Sequence, residues 1–380
     1  MQSPQSPQSP QTPIPVTLDQ VRRFRLIRSG LLQPFADPES AAANLMGIQA
    51  QILPAAGVAL WNRTRGLTHE RFEQLLYDER TLVKLWGQRG TLHLYPSSEW
   101  PLVCAMISGA KSWWGRTAEK EDRYDDYDRL VESVAIELRR RETLGRSDLR
   151  AGDLGLTEEH LSPWGGVFAD LVRRGYACHA GRESEGRFVA RENWLPDLAW
   201  EPPDWDTANL TALRRYIYSY GPTTVEDFRY WRAVLAEPAR RWWQLLEHEL
   251  AAVEVEGTTQ YVFAQDLETL TAPIDDSAWP LHMLYRFDPI LLGHREKSWI
   301  VPEIHYKQVW RPAGHIEGII LVRGQAAATW RYERKGTAMV IIVNPFHKLN
   351  KQLRRQVEQM SLRIVEFFGL KKGEVRWPIA

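Results

Sequence analysis

The chain has 380 residues, 48 Lys+Arg against 48 Asp+Glu, and 44% hydrophobic residues. That length allows two to four compact units with buried cores, and the balanced charge argues against a generic nucleic-acid coat while leaving room for a local basic groove. Two cysteines, Cys104 and Cys178, are too few for a disulfide framework or a structural zinc site and read as buried, reduced thiols of a cytoplasmic protein; no apolar run approaches the ~20 residues of a membrane span.

The first residues, MQSPQSPQSPQTP, repeat Gln-Ser-Pro without an apolar stretch, so they read as neither a signal peptide nor a core, and residues 1–15 are expected to be a disordered tail. From Thr17 the pattern becomes helical. Leu18, Val21, Phe24, Leu26 and Ile27 form an apolar stripe, with Arg22, Arg23, Arg25 and Arg28 on other faces. Asp37-Pro38 opens a second helix, a capping residue followed by proline at the first helical position. Helices are expected over 54–64 and 69–78, then a strand over 91–95.

The same order of elements recurs. Helices over 127–141, 147–150 and 163–175 precede two strands, 176–179 and 187–191, joined by a polar tip at 181–186. Helices over 207–220, 225–232 and 238–250 precede strands 252–256 and 260–263, turning at Gly257. Three helix-helix-helix-strand-strand blocks suit winged-helix units, in segments 16–120, 121–200 and 201–274, although an ordinary mixed domain would share this order. After Asp275, strands are expected over 309–311, 317–322, 326–332 and 339–344, with a tight hairpin at Arg323-Gly324-Gln325 and a closing amphipathic helix over 349–368. Segment 275–380 is therefore a β-rich C-terminal domain, and the fold class is α+β, mainly α.

The strongest local signal is Leu45-Met46-Gly47-Ile48-Gln49-Ala50-Gln51. Residues two apart diverge by about 200° on a helix but share a face in extended chain. Gly47 ends one helix and Pro54 restarts another, so Gln49 and Gln51 are expected on one face of an extended stretch. Spacing alone is equally compatible with a polar surface loop. His93, closing a strand, is either a phosphate or water contact or a packed histidine. Arg89 and Lys84 are either phosphate contacts or solvated cations. Between His294 and Lys335 there are eight Lys or Arg against four Glu, interleaved with Trp299, Tyr306, Trp310, Trp330 and Tyr332. Such a stretch suits backbone contact and groove insertion, or is a plain charged β surface. Most of the 17 tryptophans, including Trp61, Trp86 and Trp231, read as core. No glycine-rich nucleotide loop, metal-ligand motif or nucleophile-His-acid set is present, and no metal or cofactor is expected.

Four blocks in order carry a resemblance. They are LMGIQAQILPAAGVALW at 45–61; LVKLWGQRGTLHLY at 82–95 with Trp86, Arg89, Gly90, Thr91, Leu92 and His93; Tyr220-Gly221-Pro222-Thr223-Thr224 through Trp231; and Arg286-Phe287-Asp288-Pro289 through His294-Arg295. Over residues 17–375 the chain resembles the AlkZ/YcaQ-type bacterial winged-helix DNA glycosylases. The resemblance implies three tandem winged-helix units and a C-terminal β domain curved around a DNA-binding channel. It also implies a monomeric enzyme releasing alkylated purines from double-stranded DNA, in repair or in self-resistance to a genotoxic natural product, with interstrand crosslinks among its substrates. Gln49 and Gln51 take the catalytic positions, the second being glutamine as in the AlkZ branch, and Ala50 is smaller than the apolar residue often found there. His294, Arg295 and the loop through Lys297 to Trp299 are the best match to a hairpin that enters a DNA groove. Arg89 and His93 join them as candidate DNA contacts.

The chemistry agrees with this resemblance. Glutamine cannot ionise but orients water through its carbonyl and amide groups. An alkylated, cationic purine is already a good leaving group, so positioning and electrostatics suffice where an intact purine would need a carboxylate. Two other functions fit three DNA-binding units: a non-catalytic winged-helix regulator, and a protein that sequesters a DNA-reactive compound. A Gln pair held in extended chain beside a channel favours the enzyme.

Overall fold

The computed structural model describes residues 12–109, 111–162, 164–181, 186–275 and 279–377. The repeat tail up to residue 11 and the turn 182–185, expected as the polar tip between two strands, lie outside the described residues. Part of the expected tail lies in a strand, Ile14–Val16, that pairs in parallel with Leu250–Val255. The apolar side of Val16 is buried there, which gives the segment a reason to order.

The chain is α+β and mainly helical. Three small sheets follow the three predicted blocks. Strands Leu82–Trp86 and Leu92–Pro96 form a hairpin with the short strand Ile48–Gln49 on its edge. Ala177–His179 and Arg187–Ala190 pair, with Leu144–Gly145 beside them. Leu250–Val255 and Thr258–Phe263 pair, with Ile14–Val16 on the edge. The C-terminal sheet has five strands in the order His282–Leu284, Gly318–Val322, Gln325–Lys335, Ala338–Pro345 and Lys372–Arg376, backed by the helix Lys351–Phe367. Its tight hairpin turns at Arg323 and Gly324, both at positive φ as a two-residue hairpin requires.

Several elements departed from expectation. The strand Leu82–Trp86 and the helices Trp100–Ile107 and Trp113–Lys120 fill the first block where only the strand after Gly90 was expected. Tyr306–Val309 is a helical turn where a strand was expected at 309–311. The first helix, Leu18–Arg28, belongs by sequence order to the first block, yet it buries Val21 and Phe24 against Val253 and Val262, and Leu26 against the C-terminal domain. Arg25 is buried too, its guanidinium 4.5 Å from the Trp299 ring, because that helix is covered on more than one side.

The cores are shared between blocks. One joins Leu45–Leu60 residues, the helix Trp205–Tyr220, and Ile341, Val357 and Phe367 of the C-terminal domain. A second holds the middle block and takes Val83, Leu85 and Tyr95 from the first hairpin, while Leu82 and Leu94 of the same strands face the first core. The alternation of side chains along a strand puts this hairpin between two cores, which fixes its register. Cys104 and Cys178 are buried and unpaired.

Arg63 and Asp288, both fully buried, form a two-pronged ion pair with N–O distances of 2.8 and 2.7 Å. Arg63 also donates to the carbonyls of Ser29 and Ala59, each at 2.9 Å, and Asp288 accepts from the Ile290 amide. Removing one member of a buried pair strands its partner in low dielectric. Asp288→Ala is therefore expected to cost about 3–5 kcal/mol in urea unfolding, and Arg63→Met with Asp288→Leu to cost clearly less than that single change. Equal losses would show that packing, and not charge pairing, dominates there.

Candidate active site

The helix Pro38–Asn44 ends where Met46 and Gly47 adopt positive φ. Gly47 is required twice over: its φ of 97° suits glycine, and a Cβ there would lie 2.5 Å from the Tyr95 ring. The reversal delivers Ile48 and Gln49 as an edge strand, with Gln49 opposite His93. The Ala50 amide donates to the Leu92 carbonyl at 2.7 Å, extending the pairing by one bond.

Gln49 ends the strand and Gln51 lies in the bend that follows it, and each is held by its carbonyl oxygen. Gln49 Oε1 accepts from Arg89 Nη2 at 2.9 Å. Gln51 Oε1 accepts from the Leu92 amide at 3.2 Å. Both amide NH2 groups lack a hydrogen-bond partner among the described residues. The two differ in exposure: Gln49 is 6% exposed, whereas Gln51 lies open to solvent. The expectation of both side chains on one face of an extended stretch meets two different environments: the Arg89 turn covers Gln49, and Gln51 lies in the bend beyond the strand.

That turn is the centre of the site. Arg89 sits at φ 57°, next to Gly90 at φ 65°, in the tight connection between the two long strands. Its guanidinium reaches Gln49 with one nitrogen and the Trp231 carbonyl, at 2.7 Å, with the other. Trp231 lies in the last turn of Val225–Arg232, where helix carbonyls are left over and the dipole is negative, so a cation is well placed. The preceding residue, Gln88, is buried; its Nε2 donates to the Met46 carbonyl at 2.8 Å and its Oε1 accepts from Tyr95 Oη. Gln88 and Tyr95 thus lock both ends of the site, and sequence reading passed over them. A polar residue between two closely spaced glycines, Gly87-Gln88-Arg89-Gly90, was the available signal.

His93, a candidate phosphate or water contact, is buried. Its Nδ1–H donates to the Thr91 carbonyl at 3.0 Å, which turns the Nε2 lone pair toward Arg89 Nη2, 3.4 Å away. Burial, and then the Arg89 charge, push it down to about 3, so the ring is neutral at physiological pH. It positions Arg89.

His294 is likewise corrected. It is buried, with its Nε2–H on the Tyr220 carbonyl at 2.7 Å, and burial lowers it to about 3. Arg295 and Lys297 are accessible beside the helix Val225–Arg232: the Arg295 amide donates to Asp227 Oδ1 at 3.0 Å, and Lys297 Nζ donates to Tyr230 Oη at 3.2 Å. The helix whose end holds Arg89 therefore also carries the loop with these two cations. The other cations of the basic stretch, Lys307, Arg311, Arg323, Arg331, Arg334 and Lys335, are exposed as well. Glu317 lies near Arg286 and Arg311, and Trp299 and Trp330 are core residues. Among the described residues no group of three or more His, Cys, Asp or Glu gathers as a metal site, and no helix is long and apolar enough to cross a membrane.

Comparison with known proteins supports one family. A family model for DNA glycosylases of the AlkZ-like type matches residues 42–367. An interstrand DNA cross-link repair glycosylase from Streptomyces sahachiroi is 28% identical over 374 residues, spanning 94% of this chain and 98% of the relative. The solved structure of Streptomyces sahachiroi DNA glycosylase AlkZ matches with a TM-score of 0.81 at 25% identity, over 96% of this chain and all of that one.

Three histidines, His93, His294 and His282, are held well below the ordinary 6.5, at about 3, 3 and 4. The unfolded chain binds these protons first as pH falls. Their stabilising contribution is complete above pH 6.5 and is lost downward through the window to pH 3–4, each adding a slope of up to about 1.4 kcal/mol per pH unit. Urea midpoints between pH 7 and 5 are expected to fall, and His282→Gln to flatten the dependence. An unchanged slope would mean that His282 is accessible to protons in the folded state.

Proposed function

The chain belongs to the AlkZ-like DNA glycosylase family, and on that premise we propose that it hydrolyses the N-glycosidic bond of alkylated purines in duplex DNA, with Gln49 and Gln51 positioning the water. The enzyme is a DNA glycosylase. The observation that supports the site is the pair of amides held by their carbonyl oxygens, Gln49 by Arg89 and Gln51 by the Leu92 amide.

A carbonyl oxygen has two lone pairs, and each glutamine spends one on the protein. The second can accept from a water, and the NH2 groups remain as donors. Holding the amides in this way removes the reorganisation that free side chains would undergo during the reaction. A 7-alkylated purine leaves as a neutral base, so no acid is needed at the leaving group. The water adds to the sugar carbon as the glycosidic bond breaks, and its proton passes to bulk water on the solvent-facing side at Gln51. Neutral His93 keeps the Arg89 cation in place without adding a second charge.

The helical blocks with their three-stranded sheets support three winged-helix units, and with the C-terminal domain they form the proposed channel for a monomer acting on DNA. Arg295 and Lys297 serve as phosphate contacts beside it. The Streptomyces relative is named for interstrand cross-link repair; cross-linked purines, being alkylated in the same way, are proposed substrates here.

Gln49→Ala and Gln51→Ala are each expected to slow release of 7-methylguanine from duplex DNA by an amount equivalent to about 2–4 kcal/mol. The double variant should lose less than the sum, since both amides hold one water. Gln51→Asp supplies a carboxylate one methylene nearer the backbone and should retain activity. Base release, followed by alkaline cleavage of the abasic site, is the measurement; full activity in the double alanine variant would move the chemistry elsewhere.

Reversing Arg295 and Lys297 to Glu is expected to weaken duplex binding and flatten its dependence on ionic strength. A titration series from 50 to about 200 mM salt reads this directly. An affinity that ignores both the salt and the reversal would exclude this loop from the DNA interface.

A further inference from the structure

Arg89 forms part of the wall of an open cleft of about 570 Å³, between the first hairpin, the helix Trp113–Lys120 and the end of the helix Val225–Arg232. That size suits a small ligand. No carboxylate lines it among the described residues. Of its guanidinium groups, that of Arg232 is buried and that of Arg89 half-buried, and both bond only to neutral acceptors. Arg89 donates to the Gln49 amide and the Trp231 carbonyl. Arg232 donates to Asn209 Oδ1 at 2.9 Å and to the Met106 carbonyl. Neither has a carboxylate partner among the described residues. A cation withdrawn from water without a counter-charge is costly, and folds ordinarily avoid it. Two such groups on one cleft make it a receptor for an anion.

The rest of the wall is aromatic. Trp113 and Trp164 are 54% and 80% exposed, and Leu235 beside them is 78% exposed. Indoles left this open at a cleft do not serve the core. Cations with accessible aromatic faces are the combination that holds unpaired nucleotides, the phosphate on the guanidinium groups and the base stacked on a ring.

We propose that this cleft binds one unpaired nucleotide of the DNA, next to the base presented to Gln49, with its phosphate toward Arg89 and Arg232 and its base on the exposed tryptophans. Arg89 would then join the two sites: the guanidinium that holds Gln49 would sense whether a displaced nucleotide is in place. The assignment of DNA as the source of the nucleotide rests on the glycosylase reading; the nucleotide chemistry of the cleft does not.

The test is anisotropy of a fluorescein-labelled eight-residue deoxyadenylate single strand on the full chain, with deoxyadenosine monophosphate, deoxyadenosine and inorganic phosphate as competitors. The monophosphate should compete best, since it alone among the competitors carries both recognised parts. Trp113→Ala and Trp164→Ala, both at exposed positions, should each weaken single-strand binding by about tenfold. Equal affinity in wild type and both variants overturns the proposal, as does inorganic phosphate competing as well as the monophosphate. Release of 7-methylguanine from duplex DNA, measured on the same preparations, separates the two readings. Wild-type nucleotide binding without base release would leave the cleft standing and sink the glycosylase assignment; base release without nucleotide binding would do the reverse.

Discussion

The buried pair of Arg63 and Asp288 is the constraint on which the arrangement of the site depends. Arg63 follows the helix Leu53–Trp61, which continues directly from the Gln49–Gln51 segment. Asp288 precedes the short helix Pro289–Leu292 that leads to Arg295 and Lys297. One ion pair therefore sets the distance between the amides and the cationic loop, which lie some 240 residues apart in sequence. Hydrophobic residues would hold the two segments together as strongly, but without a unique geometry. A planar guanidinium that also bonds the carbonyls of Ser29 and Ala59 admits one orientation.

A net charge of zero conceals an uneven interior. Arg25, Arg89 and Arg232 are all lowered from their ordinary value, chiefly by burial, and their hydrogen bonds run to carbonyl and amide oxygens. Histidines near them are kept neutral by the same burial. Arg25 lies near the Asp227 carboxylate, and Arg89 and Arg232 meet no carboxylate among the described residues, while surface ion pairs such as Arg214 with Glu249 neutralise one another in solvent.

On the proposed assignment of Gln49 and Gln51, the surroundings favour amides where a carboxylate is usual. Gln49 is covered by a cation, and a carboxylate in its place would pair with Arg89 and lose its basicity. An amide accepts one bond from Arg89 and keeps a second lone pair. The solvent-facing Gln51 lies under no such cover, and its oxygen takes a backbone N–H, a partner that tolerates either an amide or a carboxylate.

Much of the fold was legible because it rests on local periodicity. Helix 225–232, the hairpin at Arg323-Gly324 and the closing helix follow from capping residues, turn chemistry and amphipathic spacing, each confined to neighbouring residues. The short strand Ile48–Gln49 followed in the same way from the chain reversal at Gly47. The sequence by itself thus determined where these helices begin and end and where the chain after Gly47 leaves the helix. Only the tertiary structure decided their surroundings. Whether Gln49 is open or covered depends on Arg89, 40 positions away, turning at positive φ under the carbonyl of Trp231, a further 142 positions on. His93 and His294 became packing residues for the same reason: burial is a property of what other segments bring, and no local pattern encodes it.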